Sequence, residues 1–70
     1  MLVSDFTAIE LDYLRDKCNF IGNETSVFDL RSQGIPLEEI AERLDMSVEG
    51  IKKVSRKVNN KICRVLLVHF

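Results

Sequence analysis

Between Gly50 and Phe70 the chain carries six basic residues, Lys52, Lys53, Arg56, Lys57, Lys61 and Arg64, and no acidic one. All eleven acids lie at or before Glu49, where only Arg15, Lys17, Arg31 and Arg43 stand against them. The formal net charge of −1 thus conceals a first part at −7 and a last part at +6. Lysine and arginine donate hydrogen bonds to phosphates and guanine edges, and an asparagine among them, here Asn60, can pair with adenine. Such an asymmetry points to a local anion-binding face on a chain that stays soluble elsewhere, the plain alternative being a solvated helix face paired with acidic neighbours.

These residues need a helix to align them. At about 100° per residue, Ile51, Val54, Val58, Ile62 and Val65 fall on one side and Lys52, Lys53, Arg56, Asn60 and Arg64 on the other, with Lys57 and Lys61 at the flank. This predicts a long helix over about 48–67. Ahead of it, Leu37, Ile40, Ala41 and Leu44 give a shorter helix over 37–44, opened by Pro36, whose missing amide hydrogen the first turn does not need. Small Ala41 allows a close helix crossing. Asp45-Met46-Ser47 breaks the pattern, with Met46 expected to plug the corner and Ser47 to cap the long helix.

Two further helices precede this pair. Thr7 and Glu10 have capping-box spacing, and Phe6, Ile9, Leu11, Tyr13, Leu14 and Cys18 form a broad apolar stripe, predicting a helix over about 5–18 that covers the core. Asn23 is expected to cap a second over 24–33, burying Val27, Phe28 and Leu30, with Phe20 or Ile21 stapling its entry and Gly34 closing it in the left-handed region. The 70 residues make one domain near the lower size limit for a self-sufficient core.

The pattern Val27-Phe28-x-Leu30 through Gly34, then Leu37-x-Glu39-Ile40-Ala41-x-x-Leu44-x-Met46-Ser47-x-x-x-Ile51-Lys52, resembles the tetrahelical helix-turn-helix of LuxR-type regulators and is similar to region 4 of bacterial sigma factors. The likeness covers about residues 23–62. It implies an all-α, four-helix helix-turn-helix domain, a small stand-alone bacterial or phage regulator of transcription whose long C-terminal recognition helix enters the major groove over residues 48–62. By position it assigns Lys52, Lys53 and Arg56 to base edges and Ser47 and Lys57 to phosphates; the charge row adds Asn60 to the first set and Lys61 and Arg64 to the second. Gly50 stands where that family commonly has a hydroxyl, and Arg31 where an apolar residue is common.

Past Asn60, Cys63, Leu67 and Phe70 lie away from the core face and, with Leu66 and Val68, give the last helix an apolar end. Either this tail folds back over helix one, covering Leu2, Val3 or Phe6, or two copies pair through Cys63, Leu66, Leu67 and Phe70. The homodimer is slightly favoured: two half-sites about one helical turn, ~34 Å, apart multiply specificity, and relatives in the resembling family pair through their last helix.

The rival function is a protein-interaction module of the same fold that binds RNA polymerase, a sigma factor or another regulator, an idea supported by the acidic first half and the apolar tail. An enzyme is not expected. The sole histidine, His69, adjoins the terminus, and the sequence offers neither a Cys-His pair nor a glycine-rich phosphate loop. Glu38, Glu39 and Glu42 read as a solubilising face rather than a cation site. Cys18 and Cys63 lack metal-ligand spacing, so neither metal nor cofactor is expected. The longest apolar run, residues 65–68, is far too short to span a bilayer, and no signal peptide is read at the start, which makes the expected location cytoplasmic.

Overall fold

The computed structural model describes residues 6–69, with side chains to residue 67. It is all-helical in those residues, with four helices: α1 Ala8–Lys17, α2 Asn23–Ser32, α3 Leu37–Arg43 and α4 Val48–His69. The 22 residues of α4 rise about 33 Å at ~1.5 Å each, which matches the molecule's longest extent of 34 Å. The last helix therefore runs the length of the domain, and the other three pack along it.

Each helix end has a local chemical cause. The Thr7 hydroxyl accepts from the Glu10 amide at 3.2 Å while the Glu10 carboxylate accepts from the Thr7 amide at 2.8 Å, a complete capping box that starts α1 after Thr7 rather than at residue 5. At the end of α2, Gly34 takes φ 80°, its amide donates to the Arg31 carbonyl, and the Ile35 amide reaches back to Leu30. Those two bonds make a Schellman motif. The end of α3 repeats the pattern with Asp45 in the left-handed position at φ 54°: its amide donates to Glu42, and that of Met46 to Ala41 at 2.9 Å. Aspartate is one of the few side chains that tolerate that region.

The expected cap at Asn23 is not what begins α2. Gly22, at φ 54° and ψ −130°, occupies the cap position and Asn23 is already helical. That backbone conformation is close to glycine-only territory, and the Glu24 carboxylate accepts from the Ile21 amide in place of a capping side chain. The Asn23 amide group instead donates to the Met46 sulfur at 3.2 Å, tying the start of α2 to the α3–α4 turn.

The core is Leu14 and Cys18 from α1 and its cap, Val27 and Phe28 from α2, Ile40 and Ala41 from α3, and Ile51, Val58 and Ile62 from α4. Phe28 is fully buried, with the Phe20 ring 4.7 Å from its own and the Arg15 guanidinium 5.5 Å above it. Phe20 thus covers the entry to α2, while Ile21 is exposed. Ile9, expected in the core, is 82% exposed: the α1 residues that turn fully inward are Leu14 and Cys18, one turn apart. Ser55, not foreseen as buried, lies between Ile51 and Val58 on the inner face of α4.

The apolar end of α4 divides in two. Leu66 is half-buried against the core and lines a 320 Å³ groove with Phe6, Ile9, Glu10, Tyr13 and Leu14 of the α1 region. Cys63 is exposed, and Leu67 is 85% exposed. Leu2, Val3 and Phe70 lie outside the described residues, as does the side chain of His69. Among the described residues no helix is long and apolar enough to cross a membrane.

Candidate nucleic-acid interface

The turn between α3 and α4 sets the start of the basic helix. The Ser47 hydroxyl accepts from the Gly50 amide at 3.1 Å and so caps α4. Met46 and Ile51 stand at the two positions of a hydrophobic staple, with Met46 packed on the core and Ile51 fully buried. The geometry also accounts for Gly50. A Cβ there would come within 3.2 Å of the capping Ser47 oxygen and 3.4 Å of the Met46 methyl, so glycine leaves room for the cap at the expense of some helix propensity. As an acceptor for the amide, the Ser47 oxygen keeps its own hydrogen to donate outward. Replacing Ser47 with alanine is expected to lower stability by about 1 kcal/mol, read as a shift in the urea midpoint with an unchanged slope.

Along α4, Lys52, Lys53, Arg56, Lys57, Asn60 and Arg64 are all exposed. Among the described residues no carboxylate lies within ion-pair distance of Lys53, Arg56, Lys57 or Arg64. Lys52 is 3.6 Å from Glu49, one turn before it, an exposed pair that neutralises little. A row from Lys52 to Arg64 covers about 18 Å of helix at ~1.5 Å per residue, long enough to meet several consecutive phosphates or base pairs.

Lys61 belongs to a different set. Its ammonium reaches the Glu24 carboxylate at 2.5 Å and the Asn19 carbonyl at 3.3 Å, and its side chain is largely covered. Lys61, expected among the phosphate contacts, holds the α1–α2 turn and the start of α2 against α4. The Lys61 hydrogen bond, aided by the Ile21 amide and by the charges of Lys61 and Lys57, holds the Glu24 carboxyl below its ordinary value of 4.5 despite burial, which acts the other way. Burial pushes the nearby Cys18 thiol up, against a smaller downward pull from Lys61, leaving it protonated and unreactive near neutrality.

On the opposite flank of α4, Arg31 donates to the Asn59 side-chain oxygen at 2.8 Å. At about 100° per residue, Asn59 and Lys61 are some 160° apart around the helix, with the buried row Ile51, Ser55, Val58 and Ile62 between them. α2 thus crosses the inner face of α4, gripping one flank from its first turn and the other from its last. α1 is fixed to α2 in turn by Arg15, which donates to Asp29 at 2.8 and 3.0 Å and to Asp12 at 2.8 Å.

Neither cross-helix grip was legible as a pair, since 37 positions separate Glu24 from Lys61 and 28 separate Arg31 from Asn59. Their signal was one-sided. Glu24 and Arg31 each fall at helical spacing from Val27 and Phe28, on or beside a buried face, and a charge in such a place demands a partner. No known protein family, curated protein or solved structure matches this chain.

Proposed function

We propose that the chain is a small cytoplasmic transcription regulator that binds double-stranded DNA sequence-specifically, with residues 48–62 of α4 in the major groove. The observation that carries this reading is the exposed row of Lys53, Arg56, Lys57 and Arg64, free of ion-paired carboxylates among the described residues, on a helix that a tight capped turn joins to α3. Lys52, Lys53, Arg56 and Asn60 face base edges, and Ser47, Lys57 and Arg64 face phosphates. The resemblance to LuxR-type domains and sigma region 4, drawn from the residue pattern, supports the same assignment. Two free thiols, one of them exposed, suit a reducing compartment.

Duplex binding measured by fluorescence anisotropy across a salt series tests this. The chain is expected to bind with affinity that falls steeply as salt rises. Lys53→Ala with Arg56→Ala should weaken binding about tenfold, roughly 1.4 kcal/mol, and narrow the difference between preferred and scrambled duplexes, whereas Lys57→Ala should reduce the log–log salt slope by about 0.9. Absence of binding at low salt, or a double variant indistinguishable from the native chain, would refute the reading.

The homodimer is part of the same proposal, now carried by Cys63 and Leu67 rather than by Leu66. An exposed leucine one turn beyond an exposed cysteine, on the stripe that carries Arg56 and Asn60, would place the pairing surface next to the reading surface. A sedimentation profile that stays monomeric at high concentration would exclude it. The second reading, a protein-interaction module for polymerase or another regulator, draws on the exposed Glu38, Glu39 and Glu42 of α3 together with Leu67. Stoichiometric co-purification of a protein partner, insensitive to the two α4 substitutions, would favour that module.

A further inference from the structure

We propose that Arg31 is a backbone-phosphate contact of the DNA interface, positioned by Asn59, so that the interface spans α2 and α4 rather than α4 alone. This rests on the DNA reading above and adds to it a residue on another helix.

The argument begins with an imbalance. A guanidinium carries five N–H donors, and Arg31 uses one, from a terminal nitrogen to the Asn59 oxygen. Among the described residues no carboxylate is within ion-pair distance of it. Arg31 is nonetheless half-buried, enough that loss of solvent pulls its pKa below the ordinary arginine value. The other cross-helix cations are differently placed: Arg15 has Asp12 and Asp29, and Lys61 has Glu24. Arg31 has lost part of its hydration and, among the described residues, gains no anion in exchange. Its place in the last turn of α2, where the helix dipole favours a cation, offsets part of that cost and leaves the remaining donors open.

Position decides what anion fits. On the wheel of α4, Asn59 lies about 20° from Lys52 and about 60° from Arg56, and Arg56 is three residues before it, a spacing that brings Cβ atoms to about 5–6 Å. The Asn59 tether thus holds Arg31 beside the Lys52 and Arg56 edge of the exposed row. Among the described residues that edge has only the exposed Glu49 as a carboxylate partner, whereas the Lys57 and Lys61 edge faces Glu24. With α4 in a major groove, a cation at its flank on a neighbouring helix meets the sugar-phosphate wall, and the planar fork of arginine matches two phosphate oxygens. Bases are out of reach of a side chain anchored to the flank. Arg31 therefore contributes affinity and register, not sequence preference.

Arg31→Gln keeps an amide that can still bond Asn59 and removes the charge. On a duplex enriched from random sequence by the native chain it is expected to lower affinity about fivefold at 0.1 M salt and to flatten the salt slope by about 0.9, the value of one phosphate contact, equally for that duplex and for a scrambled one. Arg31→Lys should keep the native slope, and Asn59→Ala should weaken binding with the slope unchanged, because the charge stays but its position is loose. A thermal melt of each variant confirms folding. Should Arg31→Gln fail to fold, the native chain carries the test: the Arg31 Nε–H resonance, assigned against Arg31→Lys, is expected to shift on duplex titration. A native slope in folded Arg31→Gln, or an unmoved resonance while that of Arg56 shifts, overturns the proposal and leaves the DNA reading intact. A native chain that binds no duplex overturns both.

Discussion

Phe28→Ala is expected to lower the melting temperature by about 15 °C or more, or to abolish a cooperative melt altogether. A fully buried phenylalanine truncated to alanine typically costs about 3–5 kcal/mol, and a 70-residue domain holds only about 3.5–10 kcal/mol in total. At roughly 4–8 °C per kcal/mol for a domain of this size, the loss consumes most of the available margin. The site explains the severity. Phe28 supports the Phe20 ring and the Arg15 guanidinium and sits in the stretch of α2 that crosses α4. Far-ultraviolet circular dichroism against temperature is the measurement, and a midpoint within a few degrees of the native chain would show that the core does not hinge on this ring. Any loss of DNA binding in this variant reports unfolding, since Phe28 is nowhere exposed.

The second large effect is expected at Lys61, and it separates a fold role from a binding role. Lys61→Ala leaves the Glu24 carboxylate, only 11% exposed, without its main partner. Breaking one side of a fully buried pair costs about 3–5 kcal/mol, and partial solvent access to Lys61 reduces this to about 2 kcal/mol. The pH dependence follows from Glu24. Its folded-state pKa lies below the unfolded value, so the stabilisation is complete at neutral pH and is lost as pH falls through the folded pKa, below about 4.5. The gap between Lys61→Ala and the native chain in urea midpoints should therefore be full at pH 7 and narrow toward pH 3, and Glu24→Gln should remove the dependence in that window. The DNA salt slope of the folded Lys61→Ala chain is expected to stay native. A flattened slope with native stability would return Lys61 to the phosphate contacts.

The number and order of helices followed from local chemistry, and local chemistry is what one sequence displays. Thr7 with Glu10, Gly34 after Leu30 and Ser47 before Ile51 each act within five residues, so their bonds can be anticipated from spacing. The buried row of α4 was equally legible from its period, apart from Ser55, whose polar hydroxyl hid a buried position. Asn23 misled because the cap position required a positive φ that Gly22 adopts freely, and a side-chain preference could not outweigh it. For the candidate site, exposure of the basic row was implied by the wheel. The identity of the cations held back for the fold was not, because Lys61 and Lys57 look alike in sequence and differ only in which of them Glu24 reaches. Leu66 and Leu67 pose the same problem at the apolar end, where adjacent leucines meet α1 and solvent respectively.

The two grips of α2 on opposite flanks of α4 also fix an azimuth. A helix held only by an apolar stripe can turn somewhat about its own axis, because one methyl group substitutes readily for another against a greasy wall. At the ~5–6 Å radius of a helix surface, each 10° of such turning carries a side-chain base about 1 Å sideways, more than the ~0.5 Å tolerance of a working recognition site. Lys61 pulled toward Glu24 and Asn59 pulled toward Arg31 oppose rotation in either sense, as two guy-lines hold a mast. On the DNA reading proposed above, loss of one line should leave α4 in place but free to roll, loosening its fit to base pairs and to the sugar-phosphate backbone together.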